Sequence, residues 1–251
     1  MDSEIDQKTD PREGLGDLSG LCRIGGYAAF ALIVYCLATL AQIAIVGVGA
    51  PPTAAGVFDM VHGHRIEGLL RLDLVTIVAM PLYYLLFLGL FAALKAVDHA
   101  NTLLATCMAF VGTTLVLATP TALPMLPLSA RYAAATSDAV RNQLLAAGEA
   151  VMATDMWHGS GAILGGVLLQ CGAVLICVVM LRSSAFGKAT AWLGIVMFGV
   201  DLGHIVLGPF VPYSGMILMA IAGPLYPIWF FLVGRRLLQL AGKERAVPLR
   251  N

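Results

Sequence analysis

Asp201 and His204 lie three positions apart in an otherwise apolar stretch, residues 189–211. A stretch of this length and composition is typical of a membrane-spanning helix, where an uncompensated ionisable side chain costs about 2.5–3.5 kcal/mol. The spacing places both side chains on one helical face. A carboxyl group beside an imidazole can form an ion pair, bind a polar ligand or exchange protons with one. The pair is therefore the first candidate for a functional site.

Other ionisable residues lie near the starts of two further apolar stretches: Glu67, Arg71 and Asp73 at one, Asp155 and His158 at the other. Glu67 and Arg71 are four positions apart and can pair along one helical face, whereas Asp73 faces a different neighbour. The sequence predicts a polar pocket in the outer half of a helical bundle. We expect its lining to be Arg71, Asp73, His158, Asp201 and His204, with Glu67 and Asp155 at its mouth.

The same residues allow other interpretations. Arg71 with Asp201, or Asp73 with His204, can form ion pairs that fix helix packing and bind no ligand. Ionisable residues inside spans also occur in proton and ion pathways. The sequence leaves these alternatives open.

The composition predicts that these groups lie in a membrane protein. AVILMFWYC residues make up 59% of the 251 residues, charged residues only 12%, and the mean hydropathy is +0.86. A soluble domain of this length needs more surface charge, so the apolar excess must contact membrane lipids. The formal net charge of zero gives no electrostatic basis for binding nucleic acid.

The expected fold class is an all-α polytopic transmembrane helical bundle, because the apolar stretches are continuous rather than alternating. Six stretches are long enough to span a bilayer. Prolines in the third and sixth predict kinks or helix ends at Pro120, Pro124, Pro127, Pro224 and Pro227. The six predicted spans are residues 24–49, 68–96, 102–127, 158–181, 189–211 and 213–238.

Basic residues predict the orientation. Eleven Lys and Arg residues fall on the side of the two termini, against four on the opposite side: Arg65, Arg71, Arg131 and Arg141. The positive-inside rule then places both termini in the cytoplasm of a cell whose inner (plasma) membrane holds the protein. Residues 1–20 carry six acidic and two basic side chains and are expected to form a disordered cytoplasmic tail. Residues 21–240 form the membrane domain, and 241–251 a short cytoplasmic tail.

Two local patterns predict how the bundle is built. Val140, Leu144, Ala147 and Val151 recur at helical spacing after the capping residue Ser137, which predicts an amphipathic outer-surface helix around residues 137–156. Gly161 and Gly165 form a Gly-x-x-x-Gly pattern in the fourth span, which predicts close approach of a neighbouring helix.

Sharper catalytic and cofactor motifs are absent from the sequence. His62 and His64 lack a clear third ligand, so no metal site is expected. No Walker, dinucleotide, HExxH or CxxCH motif occurs, and no cofactor is expected. The stretch from His158 to Gly161 differs from the Gly-x-Ser-Gly of rhomboid proteases, and Ser160 is interpreted as a small packing residue.

Three segments carry a family resemblance: LSARYAAATSDAVRNQLLAAGEA at 128–150, VMLRSSAFGKATAWLG at 179–194 and IWFFLVGRRLL at 228–238. Together they resemble an uncharacterised family of bacterial integral membrane proteins, known as a domain of unknown function. The resemblance covers about residues 24–240. It implies a multi-pass topology in a prokaryotic inner membrane and supplies no activity.

Three functions remain open. The first is binding of a small hydrophobic or lipidic ligand from the outer leaflet. The second is a membrane-embedded enzyme acting on a lipid or isoprenoid, with Asp201 or Asp73 as acid or base and His204 as partner. The third is a proton-coupled carrier, disfavoured because no internal repeat is evident. The sequence does not determine the oligomeric state.

Overall fold

The computed structural model describes residues 13–47, 49–156, 159–208, 210–211 and 214–245. These ranges contain twelve α-helices and no β-strand, which confirms the all-α class. The helices are α1 (Glu13–Val46), α2 (Ala54–Gly63), α3 (Arg65–Arg71), α4 (Leu74–Ala79), α5 (Pro81–Leu94), α6 (His99–Leu117), α7 (Ala122–Ala134), α8 (Asp138–Ala153), α9 (Ser160–Arg182), α10 (Lys188–Leu207), α11 (Ser214–Ala222) and α12 (Leu225–Arg245).

Within the described ranges, six helical segments are long and apolar enough to cross a membrane, and each overlaps one of the predicted spans. The second begins later than predicted, because the chain turns at Leu72 and Asp73 between α3 and α4. The six segments are Ser19–Val46, Leu74–Leu94, His99–Ala134, Ser160–Arg182, Lys188–Leu207 and Ile217–Gly242.

Prolines end helices at two of the predicted positions. Helix α6 stops at Leu117, just before Pro120, and α12 begins directly after Pro224. Proline cannot donate a backbone hydrogen bond and clashes with the preceding turn, which explains both breaks. Pro127, by contrast, lies inside α7, and Pro81 begins α5 at a break that the sequence did not predict.

The bundle packs around α1, α9 and α12. Helix α1 contacts α5 and α12, while α9 contacts α6 and α10. The aromatic centre of the core is formed by Trp229 and Phe230 of α12 with Phe198 of α10, all at most 1% exposed. The rings of Phe198 and Trp229 meet edge to face at 4.9 Å.

Glycine allows α6 and α9 to approach closely. A Cβ atom at Gly112 would lie 2.5 Å from the carbonyl oxygen of Gly165, so the two backbones are in direct contact. The predicted close packing of the fourth span is confirmed at Gly165. Gly161 is less tightly placed, because a Cβ there would meet only the methyl group of Thr119, at 3.4 Å.

A second, smaller core joins α2, α7 and α8 into what we call the helical cap, residues 54–63 and 122–153. Helix α8 confirms the predicted helix, and Ser137 Oγ accepts a hydrogen bond from the N–H of Val140 at 3.4 Å. Gly148 has a packing role there, since a Cβ atom would lie 2.7 Å from the ring of Phe58. Glu149 also links α8 to α2, because its side chain accepts a hydrogen bond from the N–H of Ala54 at 2.7 Å.

The two ends of the bundle are distinct. The helical cap lies at one end; the other, here called the terminus end, is where α1 begins and α12 finishes. At the terminus end Asp98 accepts hydrogen bonds from the N–H (3.1 Å) and the side-chain amide (2.7 Å) of Asn101, and these bonds hold the pKa of Asp98 below its ordinary value. Asp98 also pairs with Arg182 at 3.3 Å, joining the start of α6 to the end of α9.

Candidate functional site

Asp201 lies in the second half of α10 and is only 8% exposed. Its Oδ2 atom accepts a hydrogen bond from the hydroxyl group of Tyr226 at 2.8 Å and another from the side-chain amide of Gln170. The same amide nitrogen donates to the Tyr226 oxygen at 3.3 Å. We call Asp201, Gln170 and Tyr226 the Asp201 cluster. It joins three helices, α9, α10 and α12.

Gln170 of α9 and Asp201 of α10 lie at nearly the same distance from the turn that joins their helices. Gln170 lies twelve residues before Arg182, where α9 ends, and Asp201 lies thirteen residues after Lys188, where α10 begins. At about 1.5 Å per residue both lie roughly 18–20 Å from that turn. The two helices pack against each other along their length. A carboxyl and an amide at matching depth therefore meet across the interface.

Aromatic rings enclose the cluster. The ring of Tyr226 packs against Phe198 and Phe230, each at 5.7 Å between centroids. Phe230 also contacts Tyr83 of α5 at 6.2 Å. Such surroundings exclude water and strengthen the hydrogen bonds among the enclosed polar groups. The cluster is therefore a small polar site inside an apolar core.

Oε1 of Gln170, in the cluster, and Nδ1 of His204, one turn along α10 from Asp201, are buried and have no hydrogen-bond partner among the described residues. A carboxylate only accepts hydrogen bonds, so the amide group of Gln170 turns its nitrogen towards Asp201. Its oxygen is then left without a hydrogen-bond donor. An unsatisfied buried polar atom costs about 1–3 kcal/mol. A bound molecule with a hydrogen-bond donor would relieve that cost at Gln170.

Asp73 has a different environment. It is 2% exposed and lies in the turn between α3 and α4. Its carboxylate accepts the backbone N–H groups of Thr121 at 2.5 Å and Ala122 at 2.9 Å. These groups begin α7, and the Thr121 side chain does not cap that helix. Asp73 thus supplies the missing acceptors and a negative charge at a helix N-terminus, linking the breaks in the second and third spans.

Arg71 and Glu67 form the ion pair that their spacing predicts. The guanidinium Nη2 lies 3.0 Å from Glu67 Oε1, and the two side chains are 31% and 44% exposed. Arg71 Nε is buried without a partner in the described part of the chain. The guanidinium also lies near Gly47, which ends α1 with a φ of +89°. This pair belongs to the rim at the cap end.

The predicted pocket residues thus separate into different environments. Asp201 and His204 are one turn apart on α10 and interact electrostatically. Helix α10 packs against α9, α11 and α12, whereas Asp73 is bonded to α7. Among the described residues neither of the alternative ion pairs, Arg71 with Asp201 or Asp73 with His204, is formed. Asp155 follows α8, and His158 lies outside the described residues.

Two residues of the site, Gln170 and Tyr226, are missing from the predicted set. Gln170 could have been found from its depth, since it is a strongly polar residue at the same distance as Asp201 from the α9–α10 turn. Tyr226 gives no such signal, because tyrosine is common in packed cores and at membrane interfaces.

The described residues contain no group of three His, Cys, Asp or Glu side chains placed to bind a metal ion. Comparisons of the chain with protein-family models, curated proteins and solved structures find no match. The arrangement itself offers an oriented carboxylate with two fixed donors, a free amide oxygen and a nearby imidazole. These groups suit hydrogen bonding to the polar end of a small molecule.

Proposed function

We propose that this chain is a multi-pass membrane protein that binds a small hydrophobic or lipidic molecule, with its polar end at the Asp201 cluster. The observation that carries the proposal is the buried Oε1 atom of Gln170, which has no partner among the described residues although it lies beside an oriented carboxylate. A protein core rarely leaves such an acceptor unsatisfied. A ligand donor supplies the missing bond.

The chemistry of the site narrows the ligand. Gln170 Oε1 and the Asp201 carboxylate are both acceptors, so the polar end should be a hydroxyl or ammonium group. The remainder should be apolar, because the cluster lies in an apolar core whose rings include Phe198 and Phe230. Near the cap end of the same helices, Leu207 of α10 and Ile217 of α11 are 46% and 58% exposed. Entry would be from the leaflet nearer the helical cap.

The membrane and the orientation form part of the proposal. The basic residues favour a cytoplasmic terminus end, so the helical cap and the ligand entrance would face outwards from a cell inner membrane. The segments at 128–150, 179–194 and 228–238 support membership of the uncharacterised bacterial membrane family that they resemble. Neither feature identifies a particular ligand.

Farnesol tests the proposal, because it joins an apolar isoprenoid chain to one hydroxyl group; farnesene, which lacks the hydroxyl, is its control. We expect farnesol, and not farnesene, to raise the thermal unfolding temperature of the detergent-purified protein. Asp201→Asn should weaken farnesol binding about tenfold or more, since a hydrogen bond to a charged group contributes about 1.5–3 kcal/mol. Native mass spectrometry of the same samples measures bound farnesol directly.

Two tyrosines supply a matched pair of variants. Tyr226→Phe removes a hydroxyl group that donates to Asp201, whereas Tyr83→Phe removes one from a ring that packs against the same Phe230. We expect weaker farnesol binding only in Tyr226→Phe. Equal binding of farnesol and farnesene, or equal effects of the two variants, would contradict the proposal.

An acid–base enzyme is the second candidate. Asp201 and His204 are one turn apart, and the Nδ1 atom of His204 has no partner among the described residues. In that case farnesol or a related lipid should be converted during incubation, and His204→Ala should stop the conversion. Recovery of unchanged farnesol after a long incubation favours the binder.

A further inference from the structure

A groove of about 160 Å³ opens at the terminus end, between the α9–α10 turn and α12. Phe186, Gly187 and Thr190 line one side, and Leu232, Arg235 and Arg236 line the other. Phe186 is 4% exposed and gives the groove an apolar floor. The lining contains two arginines and no acidic residue. This groove is far from the Asp201 cluster and has no part in the function proposed above.

The two arginines differ in their hydrogen-bond partners. The Nε atom of Arg236 donates to the carbonyl oxygen of Ala185, and its Nη1 donates to Gln239 at 3.3 Å. Arg236 therefore fixes the α9–α10 turn against α12. Arg235 is exposed and makes no hydrogen bond or ion pair with any described residue. Its charge is available to a ligand.

An exposed apolar stripe leads away from Arg235 along α12. Phe231 and Ile228 precede Arg235 by four and seven positions, which places all three on one helical face. Phe231 is 47% and Ile228 51% exposed. Trp192, in the first turns of α10, is 58% exposed near the same end. Tryptophan at such a position is typical of the membrane–water interface.

We propose that the Arg235 groove binds the phosphate head group of an anionic glycerophospholipid, with its acyl chains along Phe231 and Ile228. Three observations converge on this ligand. The groove lies at the end of the apolar spans, where head groups lie; its charge is positive without an acidic neighbour in the lining; and the adjoining exposed face is apolar. Basic pockets between spans commonly bind anionic head groups.

Native mass spectrometry of the full chain in detergent tests the proposal, with dioleoylphosphatidylglycerol as probe and dioleoylphosphatidylcholine as the zwitterionic control. Wild-type protein should bind phosphatidylglycerol more tightly. Arg235→Gln should weaken that binding about fivefold, the effect of one basic residue near an anionic lipid surface. Arg235→Lys, which keeps the charge, should restore most of it.

Lys95→Gln is the matched control, because it removes one positive charge at the terminus end outside the groove. Its phosphatidylglycerol binding should equal that of the wild type. The proposal is wrong if Arg235→Gln binds phosphatidylglycerol as the wild type does, if Lys95→Gln weakens binding equally, or if the wild type does not distinguish the two lipids. Inorganic phosphate that displaces phosphatidylglycerol at similar concentrations would overturn it in favour of a soluble anion site.

Discussion

Asp73 and Asp201 are both buried carboxylates, yet their partners give them different roles. Asp73 accepts two backbone N–H groups at the start of α7, and those groups have no alternative acceptor once the helix forms. Asp201 accepts donors from the side chains of two other helices instead of backbone N–H groups. The backbone partners indicate a structural role for Asp73, and the side-chain partners leave Asp201 able to take part in binding.

Replacing Asp73 by Asn should therefore destabilise the protein without changing the hydrogen bonds of the Asp201 cluster. Asn keeps the size of the side chain, but its NH2 group faces a backbone donor and the negative charge is lost. Leaving one buried N–H unsatisfied costs about 1–3 kcal/mol, and each kcal/mol lowers the unfolding temperature by about 2–4 °C in a protein of this size. Thermal unfolding in detergent, followed by near-UV circular dichroism, measures the change.

Glu67→Gln provides the control for Asp73→Asn, because it also neutralises a carboxylate near the cap end. Glu67 belongs to a half-exposed pair with Arg71, and such pairs contribute about 0–1 kcal/mol. The unfolding temperature of Glu67→Gln should stay close to that of the wild type. Similar unfolding temperatures for the two variants would show that Asp73 does not stabilise the start of α7.

The sequence identifies the anomalous carboxylates, but of the three ion pairs that it allows (Glu67–Arg71, Arg71–Asp201 and Asp73–His204) only the first forms among the described residues. The Glu67–Arg71 pair follows from helical spacing alone and is confirmed. The partners of Asp73 are backbone atoms exposed by a break near Pro120, so no side-chain pattern predicts them. Gln170 and Tyr226 meet Asp201 through the packing of three helices, which hydropathy does not determine.

At the level of whole helices, the lengths of the apolar stretches and the positions of the prolines predict most of the helices that form. Spans of this length have few alternatives, since the backbone must satisfy its own hydrogen bonds in lipid. The turn at Leu72 and Asp73 was missed because neither residue strongly breaks a helix. Gly148 lowers the helix propensity of α8, but in the structure it permits close contact with Phe58.

Two glycines with contrasting surroundings test helix packing directly. Gly112→Ala would place a methyl group 2.5 Å from both Gly165 O and Leu169 N, so α6 and α9 would have to separate. Overpacking of this kind typically costs about 1–3 kcal/mol. Gly199 of α10 has open space within 4 Å of the position that an alanine methyl group would take, and Ala there gains up to about 1 kcal/mol in helix propensity.

Thermal unfolding of the two alanine variants should therefore shift in opposite directions. Gly112→Ala should unfold at a lower temperature than the wild type, and Gly199→Ala at the same or a higher one. A lower unfolding temperature in both would mean that glycine flexibility, rather than the contact between α6 and α9, sets their effect on stability.

For the whole molecule, the contacts define which connections share an end. Groove residues of the α9–α10 turn meet α12 beside Arg235, and Asp98 before α6 pairs with Arg182 of α9. These connections therefore lie together at the terminus end. The helical cap, with its own core around Phe58, contains connections at the opposite end of the bundle. The connections between spans therefore alternate between the two ends, which requires six crossings if the bundle lies in a membrane.

Epitope tags can test that alternation, with single insertions at residue 136 between α7 and α8, at residue 185 between α9 and α10, and at the C-terminus. We expect the tags at 185 and at the C-terminus to be accessible from one face of the membrane and the tag at 136 from the other. Antibody labelling of intact and permeabilised cells measures this. Because basic residues concentrate at the terminus end, that face should be cytoplasmic. An external C-terminus would overturn the orientation but keep the six crossings, whereas tags at 136 and 185 on the same face would exclude the six-span arrangement itself.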